Sequence, residues 1–334
     1  MTKKILITGA NGFLGSAITK LGIKKGFKIN VLVRENSDLQ NLKKISSKIK
    51  IYYGDIRKID SIHKAIFDSD VIFHVAADYR LWARKTSEIY SSNVLGSENV
   101  ALKALELKKF LIYTSSVATL DVIKGEISNE MSLGNFDQML GDYKKSKFLA
   151  EKIIKKLIEK RKLKAILVSP STPIGPGDIK PTPTGKIILD ILKKKMPAYV
   201  DTGLNFVHVE DVAEGHFLAL KHGKVGENYI LGGENLDFKN FIDLVAESGG
   251  VPKTNIKLNQ KYLYPLAYLN EFFAKYFFDH NPSLTVDGLK MSEKKMFFSS
   301  NKAKKKLHYR PRNIKNAIKD AVNWTKSNFL NNID

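Results

Sequence analysis

The 334 residues predict an α/β fold, a doubly wound parallel sheet with a smaller C-terminal lobe, on three observations. Short β-rich runs alternate with helical patterns through the first half, three glycines stand between the first run and the first helix, and the texture changes after Pro170. Such alternation gives right-handed parallel crossovers with helices on both faces of the sheet.

The elements follow in order. "KKILIT", "KINVLV", "KIKIYYG" and "DVIFHVAA" are each succeeded by a helical stretch, the fourth ending near Lys108. "FLIYTSS" and "KAILVSP" continue the series, separated by the helix in "DYKKSKFLAEKIIKKLIEK". Pro170 and the stretch "STPIGPGDIKPTPTG" behind it hold five of the ten prolines, which predicts a long loop in place of a short turn. Beyond it strands and helices mix without the earlier rhythm, with one return to the sheet near "NFVHVEDVAEGHFLAL". Residues 1–172 with about 205–223 are expected to form one unit, and 173–204 with about 224–330 a smaller substrate-binding lobe.

With 43% apolar residues the chain has material for a full core. The absence of Cys removes disulfides and thiolate metal sites, and the N-terminal apolar run meets Thr, Gly and Asn without a small-residue cleavage site, so a cytoplasmic protein is expected. No uncharged apolar run reaches the roughly 18 residues of a membrane span. The formal charge of +21 is spread over many predicted helices, without a basic stripe interleaved with aromatics, which argues against nucleic acid as a partner. "YLYPLAYLNEFFAKYFF" admits a membrane-surface helix or a buried helix of the small lobe, and Glu271 and Lys275, which interrupt it, favour the buried helix.

The chemistry begins at "TGANGFLG". Gly9, Gly12 and Gly15, with Asn11, Phe13 and Leu14 between them, suit a turn whose backbone approaches a pyrophosphate at a helix N-terminus, the mark of a Rossmann-type fold. An NAD-binding chain usually carries an acid at the end of the second strand; here it is Arg34, which favours the 2′-phosphate of NADP over NAD. Asp55 and Ile56, after the third strand, fall where adenine is read, and Ala76 and Ala77 where small residues meet a cofactor.

Tyr143 and Lys147 stand four apart at the start of a predicted helix, hence on one face. In a lysine-rich chain with 13 Tyr, chance supplies about two such pairs, so spacing alone is no evidence. Context supplies it. "TGANGFLG", "HVAAD", "YTSSVA", "DYKKSK" and "NFVHVEDVA" together resemble the extended short-chain dehydrogenase/reductase superfamily over nearly the whole chain. More narrowly, "HVAADYRLWAR", "KPTPTGKII", "MPAYVDTGLNFVHVEDVAEGH", "YILGGENL" and "KKMFFSS" resemble the bacterial hopanoid-associated sugar epimerases, a family similar to dihydroflavonol 4-reductases.

That resemblance implies a Ser-Tyr-Lys triad of Ser116, Tyr143 and Lys147, with Ser115 as the competing serine, and an Asn93 that supports a proton-relay water. A lysine ammonium and an oxidised nicotinamide beside Tyr143 would favour its phenolate. The loop from Pro170 to Thr172 is expected to cover the nicotinamide, although Ser169 stands where relatives carry Asn. Asp78, Arg80, Trp82 and Arg84, with Lys180 and Lys186, form loops expected to border a small-molecule substrate. No metal is expected: His208 and His216 lack the spacing of a zinc helix.

The leading expectation is therefore an NADP-dependent oxidoreductase acting on a carbonyl or secondary alcohol. A nucleotide-sugar epimerase or dehydratase, set in hopanoid or isoprenoid lipid metabolism, is the alternative, and a non-catalytic dinucleotide sensor a third reading. A homodimer and peripheral membrane contact stay open.

Overall fold

The computed structural model describes residues 2–123, 125–277, 282 and 284–330. The first part runs β1 (Lys4–Thr8), α1 (Phe13–Lys24), β2 (Lys28–Val33), β3 (Ile49–Tyr53), α2 (His63–Phe67), β4 (Val71–His74), α3 (Ser87–Tyr90), α4 (Gly96–Glu106), β5 (Phe110–Thr114), α5 (Gly141–Arg161) and β6 (Ala165–Pro170). It continues through β7 (Thr172–Ile174), α6 (Pro183–Leu192), β8 (Ala198–Val200), β9 (Gly203–His208), α7 (Val209–His222), β10 (Asn228–Leu231) and β11 (Glu234–Asp237). Last come α8 (Phe238–Gly249), β12 (Ile256–Leu258), α9 (Tyr264–Tyr276), α10 (Val286–Ser292), α11 (Asn301–Leu307) and α12 (Ile314–Phe329).

Seven parallel strands in the order β10-β6-β5-β4-β1-β2-β3 form the central sheet. Successive side chains of a strand point to opposite faces, so Ile5 and Ile7 of β1 enter the layer with α1, α7 and α11, while Leu6 enters the layer with α4 and α5. Both faces are covered, which is why β1 reads as a continuous apolar run. A third core joins α6, α8 and α12 around Phe206 and Phe241, whose rings stack at 4.0 Å.

Two expectations change. The strand that returns to the large sheet is β10, pairing with β6, whereas 203–208 pair with β7 and β11 in a separate three-stranded sheet. α7 is the crossover between them; it packs on α1, and β10 emerges beside β6. The aromatic segment is not a buried helix. Among the described side chains of α9 only Ala267 and Ala274 are deeply buried, and most of the large ones face outward. Phe278, the last residue of that segment, lies outside the described residues. Among the described residues no helix is long and apolar enough to cross a membrane.

Candidate active site

The site forms where β1, β4, β5 and β6 end together, the crevice at which parallel sheets bind ligands. After β1 the chain turns at Gly9, which holds φ +70°, and Gly12 N donates to Gly9 O at 3.0 Å. A Cβ at Gly9 would meet Ala76 Cα at 2.7 Å, and one at Gly15 would meet Gly9 O at 2.1 Å, so any side chain at either position forces the turn apart. At Gly12 an added Cβ meets only Gly9 O within 4 Å, at 3.3 Å, so the turn is open on its outer side. Phe13 and Leu14 start α1 and pack on the core. Asn41 donates to Asn11 O at 3.2 Å and Gly177 O at 3.0 Å, which ties the proline-rich loop across this turn.

Arg34 is exposed immediately beyond β2, with no side-chain hydrogen bond among the described residues. Asp55 is held by Arg57, whose Nε donates to both carboxylate oxygens at 3.0 and 2.9 Å, and that pairing keeps its carboxyl below the usual carboxylate range. The carboxylate expected to read adenine is thus already charge-paired. Ile56 packs against Gly96, and its carbonyl accepts from Asn99 at 2.9 Å. Ala76 and Ala77 are half-buried after β4, and Ala76 N donates to Thr8 Oγ1 at 3.2 Å. The open glycine turn, the exposed guanidinium of Arg34 and the buried Ser171 Oγ, which has no hydrogen-bond partner among the described residues, form a set that fits a bound dinucleotide.

At the reacting end, Ser116 follows β5, and Tyr143 and Lys147 lie one turn apart on α5. Ser116 Oγ accepts from Ala118 N at 3.1 Å and interacts with Tyr143, where it offsets part of the upward pull of burial on the Tyr143 pKa. Ser115 instead gives its hydroxyl proton to the buried carboxylate of Glu151 and is turned away from the site. Burial nevertheless raises Tyr143 above the ordinary tyrosine value, so in the ligand-free protein the ring carries its proton. Lys147 donates to Thr114 O at 2.8 Å and sits over the Tyr113 ring at 4.9 Å, and burial brings its pKa down to about 8.

Asn93 lies in a single π-helical turn, Ser91–Leu95, and bonds across elements, not within its helix. Its amide donates to Asp78 O and to Ser146 Oγ, both at 2.9 Å, and its oxygen accepts from Asp78 N at 2.7 Å. It therefore fixes the start of the loop after β4 against α5. Pro170 ends β6 and Thr172 begins β7 beside Ser171, and Ser169 Oγ is spent on Asn228 at 2.9 Å.

The substrate loops meet, with Tyr79 Oη donating to Lys180 O at 3.2 Å, but their cations are mostly balanced. Arg80 Nε donates to both Asp78 oxygens at 3.0 Å and Arg80 Nη2 to Glu88 at 2.9 Å, and Lys186 pairs with Asp190 at 2.6 Å. Near neighbours take up those charges: Arg80 and Asp78 brace the loop after β4, and Lys186 pairs with Asp190 along α6. Trp82 is half-buried and Arg84 Nη2 donates to Ala274 O at 3.1 Å. A cleft of about 60 Å³ lies elsewhere, opening beside Ala118 and Lys144. Met139, Met291 and Met296 give it an apolar wall, and Lys144, Lys290 and Lys294 a cationic one. Burial brings Lys144 down to about 8.

Sequence reasoning missed a buried polar chain beneath the triad. Thr8 Oγ1 meets His74 Nδ1 at 2.7 Å, His74 Nε2 meets Ser97 Oγ at 3.0 Å, Ser97 interacts with Tyr113, and Lys147 Nζ reaches Tyr113 Oη at 3.4 Å. Burial holds His74 neutral, with a pKa of about 3. Nothing in the spacing of these residues signals the chain, since each comes from a different strand or helix. His208 and His216 serve separate networks, one accepting from Glu210 N at 3.0 Å and the other meeting Thr114 Oγ1 at 2.9 Å.

Set on this sheet, the glycine turn and the Ser-Tyr-Lys cluster define a dinucleotide-dependent enzyme of the extended short-chain dehydrogenase/reductase type, and the comparisons agree. The profile of the NAD dependent epimerase/dehydratase family matches residues 5–232, and the chain belongs to that family. A Synechocystis sp. protein named "Putative dihydroflavonol 4-reductase" is 36% identical over 97% of this chain and 95% of its own. Sterol demethylase protein B of Methylococcus capsulatus is 26% identical over 96% of this chain and 97% of its own. The crystal structure of gox2253 superposes with a TM-score of 0.87 at 44% identity, covering 98% of this chain and 99% of that one.

Proposed function

We propose that the protein is an NADPH-dependent reductase that interconverts a carbonyl and a secondary alcohol on a substrate with an apolar body and an anionic group. The observation that carries this reading is the interaction of Ser116 with a half-buried, protonated Tyr143 one helical turn from Lys147, beside a glycine turn open to a pyrophosphate. Bound nicotinamide supplies or accepts the hydride. Tyr143 Oη delivers the proton to the substrate oxygen, and Ser116 Oγ orients that oxygen. Lys147, fixed by Thr114 O, offers its remaining donors to the ribose and lowers the cost of the Tyr143 phenolate left behind. The low polarity that raises Tyr143 makes it a donor and not a resting base.

Arg34 supports NADP over NAD, because a free guanidinium can hold a phosphate with two parallel charge-assisted bonds. The methionine and lysine walls of the cleft support the substrate class. A second reading, a nucleotide-sugar epimerase or dehydratase, draws on the same three lysines, which also suit a diphosphate. A panel of aldehydes, ketones and nucleotide sugars, followed by loss of NADPH absorbance, separates the two. Turnover of nucleotide sugars without net NADPH loss overturns the reductase reading.

A further inference from the structure

We propose that α9 is a docking face for the surface of an anionic bilayer. An ordinary surface helix turns its apolar stripe inward and its polar residues outward. α9 does the reverse. Ala267 and Ala274 are its buried contacts, and Glu271 points back into the protein, where it accepts from Val286 N at 2.8 Å. The outer half of the helix and the turn behind it carry Leu266, Leu269, Phe272, Phe273, Tyr276 and Phe277, between 43% and 68% exposed. Successive helical residues are separated by about 100°, which places these six in one continuous arc. Their rings pack on one another, Phe272 with Tyr276 at 5.1 Å and Phe273 with Phe277 at 5.8 Å. A contiguous apolar patch of this kind marks an interaction surface.

Charge decides what covers it. The chain carries a formal +21, and exposed cations lie on the segments packed against or leading into α9: Lys261 before it, and Lys290 and Lys294 on and after α10. None of these three forms an ion pair among the described residues. Two-fold pairing of this face with a second copy would oppose one cationic rim to another. Anionic lipid headgroups complement the rim instead, while apolar side chains enter the acyl boundary. Tyr262, 82% exposed, and Tyr268, 59% exposed, are suited to the headgroup level, since each has an apolar ring and a polar tip. The bond from Arg84 to Ala274 O joins this face to the loop after β4, so docking would bring that loop to the bilayer.

The test is flotation of the full chain with phosphatidylcholine vesicles containing about a third phosphatidylglycerol, with pure phosphatidylcholine vesicles as the second arm. The expected result is flotation with the anionic vesicles, weakened by salt and by neutral lipid. It should fall at least tenfold in Leu269→Ser/Phe272→Ser/Phe277→Ser. NADPH binding by that variant reports that it has folded, and Leu266→Ser/Tyr268→Ser serves in its place if it has not. Three results overturn the proposal: no flotation of wild type, flotation indifferent to lipid charge or to the serines, or a dimer in sedimentation that the serines dissociate while vesicles bind neither form.

Discussion

Lys147 Nζ donates to the carbonyl oxygen of Thr114 at 2.8 Å, so the last peptide of β5 aims the ammonium of α5 at the site. Burial brings this lysine from 10.5 down to about 8. Below about 8 it is a cation, and above it a neutral amine that holds an anionic dinucleotide less well. NADPH Kd should therefore rise as pH climbs through about 8 in wild type, and Lys147→Ala should show a higher Kd without that rise. Calorimetric titration across the range checks both, and parallel pH curves for the two proteins would rule out the lysine as the cause.

Cofactor choice should rest on Arg34. Each charge-assisted bond is worth about 1.5 to 3 kcal/mol, so Arg34→Ala is expected to weaken NADPH about tenfold or more and to leave NADH nearly unchanged. Equal losses for both dinucleotides would show that the guanidinium does not read a 2′-phosphate.

The cationic wall of the cleft gives a prediction about KM. Lys290 and Lys294 line the cleft and take no part in the proton transfer assigned to Tyr143, so Lys290→Ser/Lys294→Ser should raise KM for an anionic substrate about tenfold and leave kcat within about twofold, as expected when uniform binding is lost. A fall in kcat with KM unchanged would place these lysines outside the binding site.

Asp178 supplies a stability prediction. Its buried carboxyl accepts from Thr182 N at 3.0 Å from each oxygen, and burial raises its pKa from 3.8 to about 6. A raised carboxyl pKa means that the folded state binds the proton more tightly, so this group's contribution is full below about 3.8 and is lost as pH rises through about 6. Urea midpoints between those limits should fall less steeply with pH in Asp178→Asn than in wild type. Identical slopes would show that Asp178 does not titrate there.

The sheet, the glycine turn and the spacing of Tyr143 and Lys147 were legible because each is local: a period of two, a turn that tolerates only glycine, and one helical repeat. Ser116 was distinguishable from Ser115 only through the resemblance, and the structure adds that Glu151, a whole helix away in sequence, occupies Ser115. A sequence shows the charges of Arg80 and Lys186 but not the rotamers that pair them with Asp78 and Asp190. The polar chain through His74 and Ser97, and the lysines gathered from 144, 290 and 294, are products of tertiary packing. The periodicity of α9 was visible, but not which half of it faces the protein.

The central claim is that Tyr143 donates the proton. Tyr143→Phe keeps the ring in its buried setting and removes only the hydroxyl that Ser116 contacts. Removing a positioned general acid costs about 10² to 10⁴ in rate. The decisive measurement is kcat for NADPH-dependent reduction by this variant, taken beside its NADPH Kd, on any carbonyl that the panel identifies. A loss of that size with Kd unchanged is expected, and near-normal turnover would show that the proton comes from elsewhere.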